Sequence, residues 1–212
     1  MGKIALVILA IIVLAAIVAG GCGVGVYNRL VSLSQAVDAQ WSQVENVYQR
    51  RADLIPNLVA TVQGAANFEK STLEAVTQAR ASVGRVQVSG KDLVNNPQAF
   101  AQWQAAQDGL SSALSRLLVV AENYPELRAT QNFRDLQAQL EGTENRISVE
   151  RMRFNEAAQA YNTARLQFPA RLVAGIAGFG EKAYFKAQPG SEQAPKVDFS
   201  FGASPAPQPA ER

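Results

Sequence analysis

The sequence predicts an all-α protein: an N-terminal transmembrane helix leading into an antiparallel bundle of about four helices, followed by a disordered proline-rich tail. Three observations carry this. No charged residue stands between Lys3 and Arg29. Beyond Arg29 the apolar residues recur every seven positions, the period of helices packed side by side. Prolines within 27–168 are confined to Pro56, Pro97 and Pro125, and the stretch is rich in Ala and Gln, which favour helix. The predicted divisions are 1–26, a transmembrane or signal-anchor segment; 27–186, the helical body; and 187–212, the tail.

The first element is the apolar run. Residues 4–18 are nearly all Ile, Val, Leu and Ala. A helix over 4–26 would be about 35 Å long, enough for a bilayer core of roughly 30 Å. Because the run is apolar on every face, a buried helix of a soluble protein is disfavoured. Two membrane readings stay open. The helix is retained as a single span, or it is a signal peptide with Lys3 as its positive end and Ala19-Gly20-Gly21-Cys22 as a lipoprotein cleavage site, leaving Cys22 lipidated. The usual motif has a larger aliphatic residue at the position of Ala19. Gly21 and Gly25 also form a G-x-x-x-G pair of the kind that packs helices in lipid. Lys3 and the α-amine precede the run, whereas Arg29 alone follows it until Arg50, so the positive-inside rule places the N-terminus in the cytoplasm and the body outside.

The body begins with a heptad. Leu30, Val37, Val44, Arg51 and Leu58 form one seam, and Ser34, Trp41, Tyr48, Ile55 and Val62 the other. Pro56 predicts a kink, and Gly64 an end. An amphipathic stretch follows over 65–88, then a loop bounded by Ser89-Gly90 and Asn95-Asn96-Pro97. A third helix carries Phe100, Trp103, Leu110, Leu114, Leu117 and Ala121 on one face. Asn123-Tyr124-Pro125-Glu126 stops it and starts the next, with Pro at the first helical position. The fourth helix repeats Phe133, Leu140, Ile147, Phe154, Tyr161 and Phe168, and ends before Pro169. Residues 172–185 are apolar and broken by glycines. They read either as a short helix folded back on the body or as a surface element touching lipid or a neighbouring subunit. In the tail, 196–199 alternates polar and apolar and predicts a brief extended contact.

Composition narrows the chemistry. The net charge is +2, which makes no case for nucleic acid. The chain has no histidine, hence neither the commonest general base nor the commonest neutral metal ligand. Its single cysteine, Cys22, excludes an internal disulfide. Neither a cofactor nor a small-molecule substrate is predicted.

The anomaly is the run from Arg50 to Ala60. It sets Arg50, Arg51, Asp53, Pro56 and Asn57 inside a helix that otherwise only packs, and Arg51 falls on the seam itself. A buried charge needs a partner. The best candidates lie in Leu140-Glu141-Gly142-Thr143-Glu144-Asn145-Arg146-Ile147, which interrupts its own seam with polar residues. Arg51 or Arg50 is expected to pair with Glu141 or Glu144 across antiparallel helices, with Asn57 nearby. Asp53, Asn145 and Arg146 complete this candidate polar lock or partner site. It serves either as a structural layer fixing register or as a site for a partner or an anionic headgroup. Catalysis is disfavoured. The body has no His, no Cys and no Gly-rich phosphate loop, and a di-iron bundle would need Glu-x-x-His on two helices.

These segments resemble the LemA family. The likeness rests on Tyr27-Asn28-Arg29-Leu30-Val31, Trp41-Ser42-Gln43-Val44-Glu45, the run from Arg50 to Thr61, Tyr124-Pro125-Glu126-Leu127-Arg128-Ala129, the segment from Leu140 to Ile147, Tyr161-Asn162, Phe168-Pro169 and Ala194-Pro195-Lys196-Val197-Asp198-Phe199. Many members have an aromatic residue where this chain has Ala65, and histidine where it has Phe68. The resemblance implies a bacterial protein with an antiparallel helical bundle behind one membrane segment, some of whose relatives help to shape membrane compartments. No family residue is established as catalytic. The expected function is a non-enzymatic, membrane-anchored scaffold of the cell envelope, homo-oligomeric and engaged in membrane organisation. The alternative is an adaptor that recognises an envelope lipid or protein partner and regulates a membrane protease or signalling system.

Overall fold

The structure, a computed structural model, describes residues 2–65, 68–85 and 90–187. The predicted tail from 188 onward, with the contact at 196–199, lies outside the described residues, as do 86–88 at the end of the predicted amphipathic stretch and Ser89 at the start of the loop. The described residues form seven helices: α1 (Gly2–Gln63), α2 (Lys70–Gly84), α3 (Gly90–Val94), α4 (Pro97–Ala121), α5 (Pro125–Ala129), α6 (Gln131–Leu166) and α7 (Ala170–Ala177). An extended strap, 179–187, follows α7.

One helix of 62 residues joins the apolar run to the body, and the glycines at 20–25 do not interrupt it. Nothing in the described residues covers its most apolar window. The helix also continues through Pro56, which lies on its exposed side. Its seams are buried as the heptad requires: Leu30, Val37, Val44, Leu58, Trp41, Tyr48, Ile55 and Val62 all face inward. Each such side chain contributes about 1.5–3 kcal/mol on burial.

The main partner of α1 is α6, which runs antiparallel to it. Leu30 clusters with Ala164, Gln40 bonds Glu150 and Arg51 bonds Glu144, so positions rise along one helix as they fall along the other. The α6 seam holds from Phe133 to Tyr161 but not at Phe168, which is 84% exposed. The helix has ended at Leu166, and Gln167 is extended (φ −71°, ψ 151°), so Phe168 leaves the seven-residue register. The predicted fourth helix is also divided near its start, where the Thr130 hydroxyl accepts a bond from the Phe133 amide and caps α6.

The loop expected around Gly90 contains a helical turn, α3. Asn96 then caps α4, accepting bonds from the amides of Gln98 and Ala99. Gly90 sits close against α1: a Cβ there would lie 2.6 Å from the Trp41 indole nitrogen and would collide with the Glu45 carboxylate. Glu45 can swing into solvent, but Trp41 is buried. Gly90→Ala is therefore expected to destabilise the body by about 1–3 kcal/mol, a loss readable as a lower melting temperature by circular dichroism.

Candidate functional site

Among the described residues, two of the three buried apolar clusters lie on either side of a polar layer to which three helices contribute. One cluster takes Trp41, Val44 and Tyr48 from α1, Trp103 from α4, and Ile147 and Phe154 from α6. The other takes Ile55 and Leu58 from α1, Leu110 and Leu114 from α4, and Leu140 from α6. Between them stand Arg51, Gln107, Ser111, Thr143 and Glu144. Each helix breaks its apolar seam at the same level.

Arg51 is the hub, with 0% of its surface exposed. Its Nη1 donates to Glu144 Oε1 at 2.8 Å and to Ser111 Oγ at 2.6 Å. Its Nη2 donates to the Gln107 side-chain oxygen and, at 3.4 Å, to the Gln107 carbonyl. The guanidinium also lies 4.9 Å from the centre of the Tyr48 ring. Only Nε has no acceptor among the described residues. Thr143 turns its hydroxyl back to the Gln139 carbonyl and so adds no demand to the layer. The Glu144 side chain is 40% exposed, so the ion pair is buried at one end and wet at the other.

A second cation continues the network. Arg151 donates to the Tyr48 hydroxyl at 2.6 Å and to Asp108 at 2.7 Å. Burial pushes the Tyr48 phenol above its usual range, although Arg151 and Arg51 beside it pull the other way. Burial likewise opposes the charge of Arg151, but Tyr48 and Asp108 outweigh it and hold the guanidinium charged. Tyr48 therefore remains a neutral bridge between two arginines near neutral pH.

The network ends at the strap, which is held by its backbone. Asn162 accepts from the Lys182 amide and donates to the Lys182 carbonyl, at 3.0 and 2.9 Å. Asn155 does the same for Phe185, and Gln104 for Lys186. Each side-chain amide thus satisfies both polar groups of one residue, as a neighbouring β-strand would. The Ala183 amide bonds the Val94 carbonyl. Phe185 anchors the strap among Trp41, Phe100, Trp103 and Phe154, with ring centres 4.9–6.3 Å apart. Lys182 is buried beside Asp38, 3.4 Å away.

The family model of the LemA family matches residues 40–199. The chain belongs to the LemA family. It is also 26% identical over 181 residues to magnetosome protein MamQ of Magnetospirillum gryphiswaldense and to magnetosome proteins MamQ 1 and MamQ 2 of Paramagnetospirillum magneticum. Each alignment covers 78% of this chain and 66% of the relative. Family membership and the apolar span of α1 together associate the chain with a membrane.

Of the eight residues that the sequence offers as a lock or partner site in this LemA-family chain, the structure joins Arg51 and Glu144. Arg50, Asn57, Glu141, Asn145 and Arg146 are exposed. Asp53 faces outward too and accepts a bond from Gln49. Asn57 is not among the partners of Arg51. Glu141 and Asn145 do share an open groove of about 380 Å³ with Glu144 and Ser111. A larger recess, about 960 Å³, lies at the far end of the LemA body between Gly64 and Tyr124, away from the polar layer. Sequence reasoning missed Gln107, Ser111, Arg151, Asp108 and Gln104. Cys22 is exposed. Among the described residues, no group of three or more His, Cys, Asp or Glu side chains is placed to hold a metal ion.

Proposed function

We propose that the chain is a non-enzymatic, membrane-anchored helical scaffold of the bacterial cell envelope, oligomeric and engaged in membrane organisation. The observation that carries this reading is the single helix α1. It passes from an uncovered apolar span into the buried seams of the body without a loop, so the body cannot swivel freely on its anchor. A rigid coupling of this kind suits a protein that imposes shape or spacing on a membrane. The MamQ relatives are named for the magnetosome, which supports a role in membrane organisation here. In this reading 1–26 is a retained single span, 27–186 is one antiparallel bundle on the extracytoplasmic side, and the buried Arg51–Glu144 pair is the lock that fixes its register.

The groove beside Glu144 favours a second reading, an adaptor that recognises an envelope lipid or protein partner and regulates a membrane protease or signalling system. Its Glu141 and Asn145 side chains are exposed at the wet end of the pair, where a ligand could reach them.

Light scattering with size-exclusion chromatography of the detergent-extracted full chain separates the two. The scaffold predicts discrete homo-oligomers. A monomer that retains one copurifying partner through Glu141 and Asn145 would favour the adaptor. Intact mass of the same preparation distinguishes a retained α1 from cleavage and lipidation at Cys22.

A further inference from the structure

Helix α7 is amphipathic in the wrong direction for a helix that meets water. Ala170 and Ala174 pack against Val26, Leu30 and Leu33 of α1. At 100° per residue, Leu172 and Ile176 fall on the opposite side, where they are 60% and 90% exposed. A surface helix of a soluble body would normally bury its large aliphatic side chains and leave the small ones outside. Here the alanines let α7 lie close to α1, Val173 is half-buried, and the two other large aliphatic residues, Leu172 and Ile176, face away.

The place of α7 along α1 supplies the reason. About 20 residues of helix cross a bilayer core, so a span beginning near Ile4 leaves the hydrocarbon near Val24. The contacts with α7 start at Val26. Helix α6 runs back toward this level, and the turn after it brings Phe168 to the rim of a small cleft that Val26, Arg29 and Leu30 also line. Leu166, Phe168, Leu172 and Ile176 are thus exposed large apolar side chains at the end of the body from which the membrane-spanning part of α1 departs, where Val24 and Tyr27 are exposed too. Arg29 and Arg171 are exposed beside it, with charge suited to anionic headgroups.

We propose that α7, with the preceding turn at Phe168, is a second membrane contact: it inserts Phe168, Leu172 and Ile176 into the interfacial layer of a lipid bilayer, beside the point where α1 emerges. The inference rests on α1 being the membrane anchor. Two attachments, rather than one, then set the tilt of the body on the bilayer.

The test uses the full chain with Cys22→Ser, reconstituted into vesicles of phosphatidylcholine and phosphatidylglycerol. An environment-sensitive fluorophore is placed at Leu172→Cys, at Ile176→Cys or, as a control on α2, at Gln78→Cys. All three sites are exposed, so labelling leaves the core intact. The expected result is blue-shifted emission at 172 and 176, with most of it lost when the vesicles carry lipids with a shallow nitroxide, and neither effect at 78. Emission at 172 and 176 that matches 78 and is quenched by aqueous iodide overturns the proposal. Emission that is blue-shifted but insensitive to lipid nitroxides, and that changes with the protein-to-lipid ratio, overturns it in favour of contact between copies. Flotation of the vesicles separates this failure from that of the anchor: protein that floats with wet probes sinks the α7 contact alone, and protein that does not float sinks both.

Discussion

Glu144→Ala is expected to destabilise the body by about 3 kcal/mol, the lower part of the range for removing one partner of a buried pair. In a chain of this size that lowers the melting temperature by roughly 6–12 °C. The magnitude follows from an asymmetry within the pair. Arg51 is fully buried, whereas Glu144 is partly wet. Loss of Glu144 strands a cation that Ser111 and Gln107 can bond but not neutralise. Loss of Arg51 leaves a carboxylate that can turn to solvent, so Arg51→Met should cost less, about 1–2 kcal/mol, mainly for the unsatisfied Gln107 side chain. Replacing both residues with methionine removes the stranded charge and should recover much of the loss. Thermal unfolding of the unaltered chain, Arg51→Met, Glu144→Met and the double methionine form in detergent, followed by circular dichroism, closes the cycle and gives the coupling directly.

Phe185→Ala should cost about as much, roughly 3–5 kcal/mol for an aromatic ring taken out of a packed cluster. Its effect has a distinct local signature. Among the described residues the strap pairs with no strand, and it is held by Asn155, Asn162, Gln104 and the Val94 carbonyl around the Phe185 anchor. Without the ring, those hydrogen bonds must hold the extended chain unaided. Hydrogen exchange should therefore show the amides of Lys182, Ala183, Phe185 and Lys186 losing protection well before α1 and α6 open. Equal loss of protection throughout the body would mean that the strap is integral to the core rather than laid upon it.

The sequence made the α1 and α6 seams legible because a seven-residue repeat needs nothing but its own period. It failed at Phe168, where the chain leaves helical geometry and the period loses meaning. Arg51 was legible as a charge on an apolar seam, and the segment from Leu140 to Ile147, which sets polar residues on its own seam, offered the best partners. Which carboxylate faces inward depends on the rotation of α6, and that left Glu141 and Glu144 both open. Gln107 and Ser111 were hidden for another reason: in a helix rich in Gln, Ser and Ala, a buried amide looks like a solvated one. Tyr48, Asp108 and Arg151 read as packing or as solvated surface because their contacts join three separate helices. The strap left one usable sign, Asn155 and Asn162 seven residues apart, each just after an aromatic seam residue. Two polar residues at the core edge with the core's own period mark something there that needs hydrogen bonds. For 172–185, the structure shows the fold-back: α7 packs on α1 by its alanines.

We propose that the Arg51 layer fixes the register of α1 against α6. Pulsed electron–electron resonance between spin labels at Asn46→Cys on α1 and Val149→Cys on α6, both exposed, tests it most directly in the Cys22→Ser background. With the layer intact, one narrow distance distribution is expected. With Arg51→Met and Glu144→Met together, the expected result is a folded protein of similar helix content whose distribution broadens or splits as alternative registers fill. A single distribution unchanged in position and width would rule out a registering role and leave the pair as a polar contact.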